Sequence, residues 1–368
     1  MPTGEAFRPV ARIDALRGEP RPAFASAATG TAPRALHLNE SPFPPSPGVV
    51  EAMRRALSDA NRYPDHDGEA LARVIASRSG VDASRIVIGA GSNELLFASA
   101  ELAVDPGDEV VAPVPGFPTF AKSTAMRAGT LVAVPCRDDG CVDVAAVLAA
   151  ITPKTRLVFV SSPHNPTGGL LGHAEIEALV HGVPPSVLLH FDEAYYEFGR
   201  HAGGCETLPL LERRQGAWIA TRSFSKAYGL AGMRVGYGLA SSPDLASAYR
   251  TARINFSVGS VALAGAQEAL QEEDALARLL QHNAERRAQL ADGLAPWGWR
   301  ALPSAANFVA FVTPTPAVET AARLRALGIL VSPFALPNTT GALRISTGTQ
   351  EDMQAVVDAV ARLQGSVG

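Results

Sequence analysis

The sequence contains few of the residues that disulfide-stabilised, zinc-binding or membrane proteins require. Among its 368 residues the cysteines are Cys136, Cys141 and Cys205. Their odd number and the lack of a Cys-x-x-Cys pair argue against a disulfide framework and against a zinc site, and they favour a reducing compartment. No run approaches the roughly 18 consecutive apolar residues of a membrane-spanning helix.

Charge is also sparse. Charged residues make up 18% of the chain, and the net charge is −4. Because the basic residues form no cluster, the sequence gives no indication of nucleic-acid binding. The first 22 residues carry charges and no apolar segment, so they do not resemble a signal peptide. We therefore predict a cytoplasmic protein whose partners are small molecules, with neither nucleic acid nor membrane among them.

The chain is longer than a single hydrophobic core usually allows. Because such cores stop growing at roughly 250–300 residues, we predict two lobes around one cleft. A large domain is expected at 48–260 and an N-terminal arm at 1–47. A small domain is expected at 261–368, packed with part of the N-terminal segment. The Pro-, Ala-, Thr- and Ser-rich composition of 23–47 favours an extended segment lying over another surface, or one that is partly disordered.

Helix and strand patterns alternate from residue 48 onward. Short β-branched runs predict strands at about 85–88, 109–113, 130–134, 156–161, 187–192, 217–221 and 235–240. Helical patterns lie between them, beginning with about 48–60 and 68–79. This rhythm is typical of an α/β fold with a mostly parallel central sheet and helices on both faces. A smaller α/β lobe is predicted from strands at about 307–312, 328–332 and 343–346 with helices at about 316–327 and 350–364.

Polar or glycine-rich loops follow several of the predicted strands. Gly91, Ser92 and Asn93 follow the first strand and open a helix, where backbone N–H groups favour an anion. A simple tight turn explains this segment equally well. Three further loops, 115–118, 162–169 and 191–195, are expected to open onto the same face, because the carboxyl ends of parallel strands meet at one sheet edge.

Lys226 lies in the most informative segment of the chain. Ser223 and Ser225 precede it and Arg234 follows, so that two hydroxyls and a guanidinium can converge on a dianionic phosphate. An amine placed beside a phosphate site suits Schiff-base chemistry. A Ser-x-Ser-Lys segment alone more often marks a solvated surface lysine, and the glycines and arginine downstream are what favour a site.

Several motifs occur in a fixed order along the chain. They are Leu38–Pro42, Arg62–Asp65, Gly91–Glu94, Asn165–Gly168, Asp192–Tyr195, Ser223–Lys226 with Arg234, and Leu343–Gly348. In this order they resemble the fold-type I, class I/II pyridoxal-phosphate aminotransferases, above all the histidinol-phosphate aminotransferase branch. The resemblance covers about residues 36–363 and implies pyridoxal 5'-phosphate as cofactor, with an amino acid and a 2-oxo acid as substrates.

The resemblance implies roles for the residues around the cofactor ring. Asp192 would keep the pyridine nitrogen protonated, because a nearby carboxylate favours the cation. Tyr195 and Asn165 would form hydrogen bonds with the phenolic oxygen of the cofactor, and Phe117 would stack on its ring. Lys226 would form the Schiff base and later move a proton. A helix-capping Asp192 and ordinary core aromatics are the alternatives.

The same resemblance assigns the phosphate, the substrate and the partner subunit. The phosphate would be held by Gly91, Ser92, Asn93, Ser223, Ser225 and Arg234. Arg344 would form a bidentate pair with the substrate α-carboxylate, and Asn165 would also contact the substrate. Tyr63 would reach the cofactor phosphate of a second subunit, which implies a homodimer with shared active sites. Without the resemblance, Tyr63 would be a loop anchor and Arg344 a strand arginine pointing to solvent.

One position departs from the histidinol-phosphate branch. Ser332 stands where an arginine usually helps to hold the substrate phosphate, so a neutral amino acid competes with histidinol phosphate as the expected substrate. A decarboxylase of the threonine-phosphate type and a non-catalytic ligand-binding domain of the same fold are the alternatives. A nicotinamide oxidoreductase would use Gly89-x-Gly91 for pyrophosphate but gives no role to Lys226 and Arg234.

Overall fold

The computed structural model describes residues 9–16 and 33–365, so the predictions for the rest of the arm and for the last three residues lie outside the described part. Its helices are α1 (Ala11–Leu16), α2 (Pro47–Ala56), α3 (Glu69–Ser79), α4 (Ser92–Ala103), α5 (Pro118–Met126), α6 (Val144–Ala149), α7 (His173–Gly182), α8 (Tyr196–His201), α9 (Leu208–Leu211), α10 (Pro243–Ala252), α11 (Ser260–Ala269), α12 (Glu273–Leu294), α13 (Ala317–Ala326) and α14 (Gln350–Gly365). None of the helices in these described ranges has the length and apolarity that crossing a membrane would take.

The strands of the described residues form three sheets. They are β1 (Arg34–Ala35), β2 (Ile86–Gly89), β3 (Glu109–Val114), β4 (Thr130–Pro135), β5 (Thr155–Ser161), β6 (Leu188–Asp192), β7 (Trp218–Ser223), β8 (Gly236–Ala240), β9 (Arg300–Ala301), β10 (Phe308–Val312), β11 (Ile329–Leu330), β12 (Ser332–Phe334) and β13 (Ala342–Ser346). The largest sheet has seven strands in the order β2-β8-β7-β6-β5-β3-β4. Only β8 runs antiparallel to its neighbours within it. The predicted mostly parallel sheet is confirmed.

Helices cover both faces of this sheet. On β5, Val158 and Val160 belong to one hydrophobic core, whereas Leu157 and Phe159 belong to another on the opposite face. Successive side chains of a strand point to opposite faces, so an unbroken apolar run is what a strand buried on both sides requires. The sheet is therefore the middle layer of three, and the loops at its carboxyl edge are where polar side chains can line a cleft.

The C-terminal sheet has four antiparallel strands in the order β12-β13-β10-β9. The single strand predicted at 328–332 is wrong, because the chain changes sheets there. Residues 329–330 form β11, which pairs in parallel with β1 of the arm, and β12 then pairs with β13. The arm thus supplies a strand to the C-terminal part of the molecule.

The domain boundary expected at residue 260 remains a prediction, and the packing of α11 suggests a later position. Leu263 and Ala266 of this helix are buried in the same core as α2 and α3 on the large sheet. We therefore propose that the large domain continues through α11 and that the small domain starts with α12.

Candidate active site

The loops that follow β3, β5 and β6 meet at the carboxyl edge of the large sheet. His164 Nε2 lies 2.7 Å from the carbonyl oxygen of Pro115, which ties the first loop to the second. The backbone N–H of Ser162 donates to the carbonyl oxygen of Asp192 at 3.1 Å, which ties the second loop to the third. Their predicted convergence is confirmed.

Asp192 is a buried carboxylate at the end of β6, with only 5% of its surface exposed. Its Oδ1 accepts hydrogen bonds from the backbone N–H of Ala194 at 3.1 Å and from Thr221 Oγ1 at 3.4 Å. Burial raises the pKa of Asp192 to about 7, against the effect of these donors. In the described part of the chain no salt bridge neutralises it. The protonated ring nitrogen of pyridoxal phosphate is a cation that fits this position.

Lys226 is half-buried, and the arm holds its amine. Nζ donates to the carbonyl oxygens of Leu38 at 3.0 Å and Asn39 at 3.1 Å. Its pKa is lowered to about 8, first because burial disfavours the charge and second because Arg344 repels it. A substantial fraction of this amine is therefore neutral near pH 8, as a nucleophile requires.

A second cluster joins the start of α4 to the segment around Lys226. Gly91 has φ +74°, and a Cβ atom there would lie 2.6 Å from Arg234 Nη2. Arg234 Nη1 donates to Ser225 Oγ at 3.2 Å, and the Ser225 N–H donates to Ser223 Oγ at 3.1 Å. A guanidinium, two hydroxyls and a helix N-terminus that begins at Ser92 thus converge, and this set of groups fits a dianionic phosphate.

Asn93 and Phe117 flank this cluster. Asn93 Oδ1 accepts from Thr119 Oγ1 at 2.6 Å, which fixes the first turn of α4 against the start of α5. Phe117 is the residue before α5, and its ring packs edge-on against Phe120 with centroids 6.2 Å apart. Stacking of Phe117 on a cofactor ring stays a prediction, and Thr119 is a contact that the sequence did not reveal.

Arg344 of β13 faces the same cleft. Its Nη1 donates to Asn165 Oδ1, and its Nη2 donates to the carbonyl oxygen of His37 at 2.7 Å. Burial lowers the pKa of Arg344, and within the described residues its Nε finds no hydrogen-bond partner. A buried guanidinium with an unused donor is suited to a carboxylate ligand.

Asn39 connects the arm to the rest of the site and was not among the predicted site residues. It adopts a positive φ of 55°, and its Nδ2 donates to Tyr195 Oη at 2.9 Å. Its backbone N–H donates to Ser346 Oγ at 2.9 Å. The only sequence signal for this role is the Leu38–Pro42 motif, because local patterns do not show which distant hydroxyl an asparagine contacts.

Tyr63 is not part of the buried site within one chain. Its side chain is 82% exposed, and its ring stacks on Phe256 with centroids 4.7 Å apart. Tyrosine is enriched at protein interfaces, and this exposed ring is available for contact with another chain. Its predicted role in a second subunit stays a prediction.

Comparison with known proteins agrees with this geometry. The family described as Aminotransferase class I and II matches residues 35–360. The chain is 38% identical to a histidinol-phosphate aminotransferase of Ruegeria pomeroyi, over 88% of this chain and 89% of that one. It is 39% identical to histidinol-phosphate aminotransferase 1 of Thiobacillus denitrificans, over 88% and 84%. The solved histidinol-phosphate aminotransferase of Sinorhizobium meliloti, in complex with pyridoxal-5'-phosphate, has a TM-score of 0.86 and 32% identity, covering 92% of each chain.

The chain belongs to the class I and II aminotransferases. Family membership confirms the predicted fold-type I architecture and the pyridoxal-phosphate-dependent aminotransferase activity. The relatives bear the name histidinol-phosphate aminotransferase, and whether this chain shares their substrate depends on its own residues.

Proposed function

We propose that this protein transfers the amino group of an L-amino acid to a 2-oxo acid at the cleft between the large sheet and β13. The observation that carries the proposal is the arrangement of three charged groups. Lys226 has a lowered pKa, the buried Asp192 has no neutralising salt bridge in the described part, and Arg234 lies against Gly91 and Ser225. These groups match the amine, ring nitrogen and phosphate contacts that pyridoxal phosphate needs.

Each group of residues has one task in this proposal. Bound pyridoxal phosphate supplies an electron sink that stabilises negative charge at the substrate Cα. Asp192 would keep a proton on the ring nitrogen, Asn165 and Tyr195 would donate hydrogen bonds to the phenolic oxygen, and Phe117 would cover the ring. The phosphate is held by Gly91, Ser92, Asn93, Ser223, Ser225 and Arg234.

Lys226 acts first as nucleophile and then as base. Its neutral Nζ would form the covalent link to the cofactor, and as a free amine it would take the proton from the substrate Cα. The carbonyl oxygens of Leu38 and Asn39 orient that nitrogen, since both accept its protons. Asn39 also binds Tyr195 Oη, so the arm positions two of the proposed functional groups together.

Arg344 binds the α-carboxylate in this proposal, with Asn165 holding the guanidinium in place. Ser332 lies directly opposite Arg344 in the β12–β13 register and adds no charge there. A substrate phosphate therefore lacks the cation that an arginine at this position would provide. We propose that a neutral α-amino acid is turned over at least as efficiently as histidinol phosphate.

A homodimer with shared active sites and a cytoplasmic location also remain proposals. The exposed ring of Tyr63 supports the first, because it is available to a second subunit. The three free cysteines are compatible with a reducing compartment.

The proposal is tested by Lys226→Ala with Lys154→Ala as a matched control at an exposed lysine. Lys226→Ala should keep the circular dichroism spectrum and lose turnover and covalent cofactor after borohydride reduction, whereas Lys154→Ala should behave like the wild type. Products are measured with a panel of amino acids and 2-oxo acids. Full turnover in Lys226→Ala, or release of carbon dioxide in place of a 2-oxo acid, would contradict the proposal.

A further inference from the structure

Five buried side chains form a hydrogen-bonded chain that ends at Asp192. Tyr249 Oη lies 2.5 Å from Ser99 Oγ, and Ser99 Oγ lies 2.6 Å from His190 Nδ1. His190 Nε2 lies 2.9 Å from Thr221 Oγ1, which lies 3.4 Å from Asp192 Oδ1. Tyr249, Ser99, His190 and Thr221 have no exposed surface. We name these four residues the buried relay.

The buried relay crosses one apolar layer of the molecule. Ser99 lies on α4, Tyr249 on α10, His190 on β6 and Thr221 on β7. The surroundings are apolar, with the Phe159 ring centroid 5.3 Å from that of His190. Polar groups in such a layer are costly unless every one is satisfied, so apolar residues would fill these positions more simply. The arrangement calls for a reason beyond packing.

The number of protons fixes the direction of the chain when Asp192 is ionised. A carboxylate only accepts, so Thr221 must donate its one hydroxyl proton to it. Thr221 then has only acceptor capacity for His190, which must carry its proton on Nε2. His190 Nδ1 in turn accepts from Ser99 at 2.6 Å, a shorter contact than the 3.0 Å from Ser99 Oγ to the competing carbonyl oxygen of Leu95. The Ser99 oxygen then accepts from Tyr249. Every donor of the buried relay then points toward Asp192.

We propose that His190 and Thr221 are positioning residues that, with Ser99 and Tyr249 behind them, hold the Asp192 carboxylate as an anion against the cofactor ring nitrogen. This inference rests on the proposed function, because it requires Asp192 to face that nitrogen. It names residues that the motifs did not indicate, two of them on helices outside the cleft.

His190 remains a hydrogen-bond donor to Thr221 over the working pH range, because its imidazole does not become charged. Burial lowers the pKa of His190 to about 3, so the imidazole stays neutral across the working pH range. The charged groups that act on Asp192 itself are Glu193, which raises its pKa, and Lys226, which lowers it. Neither belongs to the buried relay, so a change in the relay can be separated from a change in these charges.

The decisive variants are Thr221→Val, which removes the hydroxyl at similar volume, and Thr221→Ser, which keeps it. The readout is the absorbance of the cofactor-loaded enzyme as a function of pH, together with kcat, KM and Tm. Loss of the hydroxyl weakens the carboxylate anion and therefore the ring-nitrogen cation, which makes the Lys226 nitrogen bound to the cofactor more basic. In Thr221→Val the absorbance midpoint should rise by about one pH unit and kcat fall about tenfold with little change in KM. Thr221→Ser should keep the wild-type midpoint.

His190→Phe and Asp192→Asn complete the experiment. His190→Phe should raise the midpoint in the same direction and by less, and it decides the question if Thr221→Val does not fold. Unchanged midpoints in both variants, a lowered Tm alone, or equal shifts in Thr221→Val and Thr221→Ser would overturn the relay. A wild-type midpoint and kcat in Asp192→Asn would instead contradict the role of Asp192 in the proposed function.

Discussion

The Asp192 carboxylate serves the proposed function at a cost to the stability of the fold. Burial raises its pKa to about 7. A carboxyl group whose pKa is higher in the folded than in the unfolded protein stabilises the fold most at low pH, and this contribution is lost as the pH rises through the folded value. Above pH 7 a charged Asp192 therefore lowers the stability of the protein when it is free of cofactor.

We expect Asp192→Asn to stabilise the cofactor-free protein at pH 8 and not at pH 4. The difference between variant and wild type should grow by roughly 2–4 kcal/mol over this interval, because the amide removes the cost of the buried charge. Urea unfolding at both pH values measures it. In the loaded enzyme the same change should reduce turnover far more than cofactor occupancy, since the ring nitrogen loses its anion. A pH-independent difference in stability would show that the pKa of Asp192 is the same in the folded and the unfolded protein.

The lowered pKa of Lys226 sets how the rate of cofactor attachment depends on pH. Because the neutral amine is the nucleophile and its pKa is about 8, the rate of covalent cofactor attachment should rise with pH and level off above pH 8. Stopped-flow absorbance on the cofactor-free protein measures this rate. The reference is Nα-acetyllysine, whose free ε-amine should react with the cofactor at a rate that keeps rising to about pH 10.4.

Arg344→Ala provides the matched variant for Lys226. Arg344 is the charge that most lowers the Lys226 pKa, so its removal should move the plateau to higher pH. The same variant should impair substrates with an α-carboxylate while sparing cofactor binding. A plateau that stays in place would assign the lowered pKa to burial alone.

The β12–β13 pair sets the expected substrate preference. Cross-strand partners in an antiparallel pair lie about 5 Å apart on the same face, so an arginine in place of Ser332 would stand beside Arg344. We predict that Ser332→Arg raises kcat/KM for histidinol phosphate relative to a neutral amino acid by about ten- to a hundredfold, because charge-assisted bonds to phosphate are strong.

Ser332→Gln, which is long and uncharged, is the control for this variant. It should leave the preference as in the wild type. Steady-state kinetics with both substrates make the comparison. A strong wild-type preference for histidinol phosphate would mean that a cation elsewhere supplies the phosphate contact.

The strands of the large sheet could be predicted from the sequence because they are short and mostly apolar, and β5, β6 and β7 end in polar residues. The split between β11 and β12 could not, since it depends on pairing with β1, far away in the chain. Lys226 and Asp192 stand in motifs that reveal them. His190 and Thr221 do not, because their meaning lies in a cross-strand register and in contacts with two helices.

The exposed Tyr63 predicts that activity depends on two chains. Tyr63→Phe and Lys226→Ala should each lower or abolish activity. If Tyr63 contributes its hydroxyl to the site of the other subunit, a hybrid of the two variants contains one site with both residues intact. Mixed variants should therefore recover up to about a quarter of the wild-type activity per subunit after random exchange, as the proportions of hybrid dimers dictate.

Subunit exchange is verified with differently tagged chains, and mixing each variant with itself is the control. Activity that does not recover, despite demonstrated exchange, would place Tyr63 outside the partner's site. Sedimentation of the wild type gives the oligomeric state independently.

The position of Lys226 also has a practical consequence, because lysine is rare in this chain. Lys122 and Lys154 are its only other lysines, and both are exposed. Amine-directed reagents therefore have three side-chain targets in the entire protein, because the 29 arginines stay protonated and do not react with them. With Lys122 and Lys154 replaced by arginine, Lys226 would be the single side-chain amine of the protein. Covalent amine probes would then label this site selectively, and mass spectrometry of the labelled protein would measure how much of the site is occupied.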